Sequence, residues 1–182
     1  MKTLKTKRLI LRDFLSTDLN DFYEYASVVG VGELAGWLPH QNLEQSKNIL
    51  ENFIAAGNEY AIVYKKNKKV IGSLGIYKKL DVTVYENSNQ KEIGYCLNKD
   101  YWGQGLTPEA LNKVLDYQFN NLDVYAIWCS HFDFNIRSKR VIEKCGFEFI
   151  REVMTDVVQL NTKYKSYLYR LLKEDYLMNK ER

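Results

Sequence analysis

The sequence predicts a mixed α/β domain whose sheet is mostly antiparallel, carries one parallel step and is flanked by helices. Three patterns predict it. Apolar runs come in pairs split by polar turns, Tyr60–Tyr64 with Val70–Tyr77 and Phe147–Asp156 with Lys165–Leu172, which is hairpin spacing. After Pro108, residues Ala110, Leu111, Val114, Leu115 and Phe119 fall on one helical face. Val124–Ser130 then runs almost continuously apolar, as a strand covered on both faces does. Strand, helix and strand in that order imply parallel neighbours joined by a right-handed crossover.

Along the chain, Arg8–Phe14 reads as a strand, with Ser16 or Thr17 capping a helix that reaches about Ala26. Glycines and Pro39 mark Val28–Asn42 as a loop. Asn42 with Gln45 resembles a capping box, opening a second helix with Ile49, Leu50, Phe53 and Ile54 inward. Lys65–Lys69 lies between two apolar runs and reads as a solvated turn. A polar excursion, Asp81–Asn89, leads to a strand at Glu92–Leu97, a loop at Asn98–Thr107 and the helix from Pro108 to about Phe119. A further helix, Ile136–Cys145, is stopped by Gly146 in the C′ position. No repeat or linker interrupts residues 1–182, so one domain is expected.

Composition narrows the function classes. Hydrophobic residues make up 46% and charged residues 27%, as in ordinary globular proteins. The net charge is +3 with no run of five like charges, so no nucleic-acid partner is expected. No apolar run approaches the roughly 18 residues of a membrane span. The basic start, Met1–Arg8, leads into an apolar run too short for a signal-peptide core, so a cytoplasmic location is expected. Cys96, Cys129 and Cys145 lack metal-ligand spacing and read as small core hydrophobes, so no metal site is expected.

Two segments carry chemistry. In Tyr101-Trp102-Gly103-Gln104-Gly105-Leu106-Thr107-Pro108-Glu109-Ala110, glycines join a strand end to a helix start, with Thr107 as N-cap and Pro108 as first helical residue. Free N–H groups there, at the positive end of the helix dipole, suit a pyrophosphate. Glu109 would repel an anion and is expected to point away from it. A tight turn without a ligand is the plainer alternative. The P-loop needs Gly-Lys-Ser/Thr, and the dinucleotide fingerprint fails because Pro108 takes its third glycine. In Asn135–Phe147, Ser138, Val141, Ile142 and Cys145 share a helical face, so the Ser138 hydroxyl points inward and needs a partner. A back-bond to the preceding turn is one possible partner. Asn135 can cap the helix and still offer its amide to a ligand.

Trp-Gly-Gln-Gly-Leu-Thr-Pro-Glu-Ala, followed about 30 residues on by Asn-x-x-Ser-x-x-Val-x-Glu-x-x-Gly-Phe, resembles the GNAT N-acetyltransferase superfamily. It is most similar to the branch of bacterial ribosomal-protein N-terminal acetyltransferases, a likeness that starts at Thr6–Arg12 and includes Glu92-Ile93-Gly94-Tyr95. Of the family pattern Gln/Arg-x-x-Gly-x-Gly/Ala the sequence keeps Gly105, with Trp102 at the first place and Thr107, replacing a small residue, at the last. The resemblance implies that acetyl-coenzyme A lies in a V between splayed parallel strands, Glu92–Leu97 and Val124–Ser130. It implies a pyrophosphate on the backbone of Gly103, Gln104, Gly105, Leu106 and Thr107 beside Trp102, and a pantetheine arm along Tyr95, Cys96 and Leu97. Asn135 would contact that arm, and Ser138 would donate to the departing sulfur. Glu92 is the first candidate for the base, with Asp156, Tyr169 and His131 behind it. The loop Glu33–His40 and the turn Val157–Tyr164 would border an amine acceptor, whether a protein N-terminus or a small molecule. A module that binds acyl-coenzyme A without catalysis is the alternative, and an interaction scaffold, suggested by 14 Tyr, 8 Phe and 3 Trp, a third reading.

Overall fold

A computed structural model describes residues 1–79 and 89–180. The sheet strands are β1 (Leu4–Lys5), β2 (Leu9–Asp13), β3 (Glu59–Tyr64), β4 (Val70–Lys78), β5 (Gln90–Leu97), β6 (Ala126–Phe132), β7 (Glu148–Val157) and β8 (Thr162–Leu172). Their order in the sheet is β1-β2-β3-β4-β5-β6-β8-β7. Every neighbouring pair is antiparallel except β5 with β6.

That parallel pair is short, and its shortness makes the site. Gln90 pairs with Ala126, Lys91 with Ile127 and Glu92 with Trp128. Beyond Glu92, β5 keeps only its β4 ladder to Leu97, while Cys129–Phe132 of β6 pair only with β8. The two strands therefore part in a V that opens at their C-terminal ends.

Helices cover both faces. On one, α1 (Leu19–Ala26) and α2 (Leu43–Ala56) enclose a cluster with Phe22, Leu50, Ala61 and Val70. On the other, α3 (Leu106–Asn121), α4 (Ile136–Lys144) and α5 (Lys173–Lys180) enclose a larger one. The predicted α3 stripe, Ala110, Leu111, Val114, Leu115 and Phe119, is completely buried. Each of its larger side chains is worth about 1.5–3 kcal/mol, which fixes α3 against the sheet and with it the turn that precedes it.

Several expectations need correction. Neither Ser16 nor Thr17 caps α1; both lie in a short 3₁₀ turn. Asp18 takes the Leu15 N–H at 2.8 Å instead, because Arg12 already grips its carboxylate at 2.7 and 2.9 Å. Only half of the capping box forms: Asn42 accepts the Gln45 N–H at 2.9 Å, but Gln45 reaches back to Gln41. Ile54 is exposed, since it lies ~80° round the helix from Ser46 at 100° per residue, off the buried line through Ser46 and Leu50. α3 starts at Leu106, not Pro108, with Gly105 in the cap position and no side-chain cap from Thr107. Pro108 remains in the first turn, where its missing N–H costs nothing. Cys129 and Cys145 are buried as expected; Cys96 is only partly so, because the parting strands leave its face uncovered. The short strand Leu4–Lys5 and the helix α5 were not anticipated. The polar excursion lies outside the described residues apart from Asn89.

Candidate active site

The V opens into a cleft of about 660 Å³ between β5, β6, the start of α3 and α4. Of the sequence-predicted residues, Glu92, Tyr95, Cys96, Leu97, Trp102, Gly103, Gly105, Leu106, Thr107, Asn135 and Ser138 line it, as do His131 and the loop residues Leu34 and Ala35. Gln104, Asp156 and Tyr169 are not in the lining. The Gln104 side chain folds back to the Asp100 carbonyl at 3.0 Å. Asp156 pairs with Lys163 at 3.0 Å, and Tyr169 is buried among His131 and Phe149.

Beyond the C-terminal end of β5, Gly103 and Gly105 have φ of 74° and 71°, values an L-residue adopts only at a cost of about 1–2 kcal/mol. The two left-handed steps curl the chain so that the N–H groups of Gly103, Gln104, Gly105, Leu106 and Thr107 have no protein acceptor among the described residues. Five consecutive unpaired donors at a helix N-terminus, carrying about half a positive charge, fit an anion. Glu109 turns away, as expected. It accepts from the Arg8 side chain at 2.6 Å, the Arg8 N–H at 2.8 Å and the Thr6 hydroxyl. Burial would raise its pKa, but these donors outweigh burial and hold it below the usual carboxylate value.

Sequence reasoning missed the part Arg8 plays. Its guanidinium also donates to the Gln104 carbonyl at 2.8 Å, so one side chain ties the turn to the N-terminal arm. The partners stand 96 and 101 residues apart, and no local pattern shows such a pairing. Trp102 has two tasks. Its indole N–H donates to the Leu97 carbonyl at 2.7 Å, and its ring lies under the Arg137 guanidinium at 4.7 Å. With Arg140 and Lys144, Arg137 makes a cationic rim opposite the turn, another feature the sequence reading passed over.

Where the strands part, the Ser138 hydroxyl lies 2.8 Å from the Tyr95 hydroxyl, which settles its partner: a phenol on β5, not the preceding turn. Tyr95 also reaches the Ser138 carbonyl at 3.3 Å. Burial pushes the Tyr95 pKa well up, so it remains a neutral donor. Either hydroxyl can donate in that pair; with Tyr95 as donor, the serine proton is free to point into the cleft. Asn135 caps α4 through the Ser138 N–H at 3.1 Å and donates to the Leu34 carbonyl at 3.1 Å, pinning the loop to the helix. Both ends of its amide are thus engaged inside the protein.

On the α1/α2 side, Glu92 lies 2.9 Å from the Lys79 ammonium. His131 is buried with Nδ1 2.8 Å from the Phe132 carbonyl and Nε2 3.4 Å from the Tyr169 hydroxyl, so protein groups face both ring nitrogens. Trp37 lies tilted against His40, ring centroids 5.4 Å apart, and is not in the cleft lining. Among the described residues, no cluster of His, Cys, Asp and Glu could hold a metal, and no helix is long and apolar enough to cross a membrane.

Residues 8–148 match the family described as Acetyltransferase (GNAT) domain. An uncharacterized N-acetyltransferase, p20 of Bacillus licheniformis, is 26% identical over 182 residues, covering 97% of this chain and 99% of its own. The crystal structure of an acetyltransferase (GNAT family) from Bacillus anthracis superposes with a TM-score of 0.84 at 22% identity, over 95% of this chain and 99% of that one. Spermidine N-acetyltransferase from Vibrio cholerae, in complex with CoA and spermine, superposes at 0.75 with 17% identity, over 94% and 99%.

Proposed function

The chain belongs to the GNAT family of acetyltransferases, and from that premise we propose that it transfers the acetyl group of acetyl-coenzyme A directly to a primary amine. The acceptor is a protein N-terminus or a small-molecule amine, in keeping with the likeness of the Trp102–Ala110 and Asn135–Phe147 motifs to the ribosomal-protein branch. The work is proposed to take place in the cytoplasm. One observation carries the reading: among the described residues, five unpaired main-chain N–H groups, Gly103–Thr107, stand beyond the C-terminal end of β5, where the parallel strands part.

In this reading the N–H groups hold the diphosphate, with Arg137, Arg140 and Lys144 nearby to offset its charge. Trp102 holds the turn against β5 and α4. The edge of β5 at Tyr95, Cys96 and Leu97 has no β6 partner, so its backbone is free to pair with the amide-bearing arm of the donor. Ser138, oriented by Tyr95, donates to the sulfur as the carbon–sulfur bond breaks. Such a proton-transfer role contributes on the order of 10²–10⁴ in rate. Glu92 borders the acceptor side, where its carboxylate attracts an incoming ammonium and is the sequence-derived candidate for the base.

A binding module without catalysis is disfavoured by the same geometry. It needs the anion cradle but gives no reason for a serine–phenol pair at the thioester end. The test is to incubate the protein with acetyl-coenzyme A and a panel of amines, including peptides with free N-termini and polyamines, following free thiol and product mass. Acetylated product is expected for at least one amine. Thermal stabilisation by coenzyme A with no product from any amine would favour the binding module.

A further inference from the structure

One buried acid has no task in the chemistry so far. Glu59 opens β3, is 4% exposed, and has no cation paired with it among the described residues. Across the ladder it faces Gly75 of β4, and Tyr77, two residues further on, shares that face. The Tyr77 hydroxyl reaches back over Gly75 and donates to Glu59 Oε1. Only a glycine permits this, since a Cβ at 75 would collide with both Glu59 Oε1 and Tyr77 Oη.

The other side of Tyr77 is open. Its side chain is 42% exposed and lines the cleft beside Glu92, its cross-strand neighbour, and Gly94, the neighbour of Gly75. Gly94 presents bare backbone to the cleft, so a group lying on it would touch the Tyr77 ring. A continuous path therefore runs from a buried carboxylate through a phenol to the acceptor side of the parting strands. Glu92 is placed differently, since the Lys79 ammonium occupies one of its oxygens.

We propose that Glu59, in place of the sequence-derived candidate Glu92, is the proton acceptor of the reaction and Tyr77 its relay, an inference that rests on the acetyl-transfer reading. The bound ammonium gives an N–H proton to Tyr77 Oη while the Tyr77 proton passes to Glu59 Oε1. The freed lone pair on nitrogen forms the carbon–nitrogen bond. A second N–H proton ends on the sulfur, delivered through Ser138 as the carbon–sulfur bond breaks. Glu59 then returns its proton to water through Tyr77. Tyr77 touches the amine; Glu59 acts through it and is a positioning residue in that sense.

The surroundings suit this role. Burial pushes the Glu59 carboxyl up to about 7, partly opposed by the Tyr77 hydrogen bond. At neutral pH it can therefore both take and release a proton. The other titratable groups around it are Tyr25 on α1 and Cys96 on β5, each pushed up first by burial and then by charges that include Glu59. Asp18 acts on Tyr25 from beyond, and Glu92 with Lys79 flanks Tyr77.

The test is kcat/KM against pH for the full chain and for Tyr77→Phe, Glu59→Gln and Glu92→Gln, using an amine found by the panel. The unmodified protein should show a limb rising with pH through about 7. Tyr77→Phe and Glu59→Gln should each lose that limb and fall on the order of 10²-fold at pH 8, with coenzyme A still raising Tm. Glu92→Gln should keep it. Unchanged rate and limb in Tyr77→Phe would overturn the relay, as would loss of the limb in Glu92→Gln alone. Should Glu59→Gln not fold, Tyr77→Phe decides, because it removes only a hydroxyl from a partly exposed ring. Absence of turnover by the unmodified protein on every amine would end the acetyl-transfer reading first, and the relay with it.

Discussion

Ser138 can be removed without disturbing what holds the cofactor. Its hydroxyl meets only Tyr95, and the cradle at Gly103–Thr107 stands on a different helix. Ser138→Ala should therefore lower kcat, by about tenfold or more if thiolate protonation limits the step, while the Kd for coenzyme A stays nearly unchanged. Single-turnover kinetics beside calorimetric titration check both. Unchanged chemistry would remove Ser138 from the mechanism. The inward direction of Ser138 could be read from its spacing with Val141, Ile142 and Cys145. Its partner could not, because Tyr95 lies 43 residues away on a strand whose register depends on the whole sheet. Glu59 and Tyr77 were hidden for the same reason. A glutamate before a strand looks solvated until Gly75 is seen to make room for it. Tyr169 and Asp156 show the converse, since residue type made them candidates and tertiary placement removed them.

The turn before α3 depends on backbone shape more than on side chains. A Cβ at Gly105 would meet only Arg8, at an ordinary 3.8 Å, so the cost of replacing it lies in the left-handed φ of 71°. Gly105→Ala should cost about 1–2 kcal/mol in stability and weaken coenzyme A binding about tenfold, because relaxing that φ turns the N–H groups out of line. Denaturation midpoints and Kd values measure both. Full retention of affinity would show that the donors are not arranged by this glycine. The Arg8–Glu109 clip acts from outside, and Arg8→Ala should weaken coenzyme A binding with no effect on the pH limb near 7. Strands and helices could be read from the sequence because their apolar periods are local. Their starts were less visible. Thr107-Pro108 looked like a conventional helix opening, yet Gly105 began the helix two residues earlier, since its left-handed φ already directs the chain into the first turn.

Across the molecule, sheet order and the parting of β5 from β6 bring residues from four strands and two helices to one cleft. The parallel step followed from the strand–helix–strand pattern. After Glu92 each strand keeps only its outer partner: β8 pairs with β6 along Ala126–Phe132, and β4 pairs with β5 to Leu97. Burying Glu59 in this arrangement has a cost that depends on pH. Its folded-state pKa lies above the ordinary 4.5, so the folded form binds the proton more tightly and the associated stability is lost as pH rises from about 4.5 through 7. The loss amounts to roughly 3 kcal/mol. Glu109 and Asp116, whose pKa values are lowered, act in the opposite sense at more acid pH. Glu59→Gln should therefore gain stability relative to the unmodified protein between pH 5 and pH 8, as urea midpoints at the two pH values would record; a constant difference would mean that Glu59 ionises freely. The cleft itself is tested most directly by following backbone amide resonances during titration with coenzyme A. The signals of Gly103, Gln104, Gly105, Leu106 and Thr107 should move and gain protection from exchange, and pantetheine, which lacks the diphosphate, should leave them in place. Binding of coenzyme A with those five amides undisturbed would contradict the site described here.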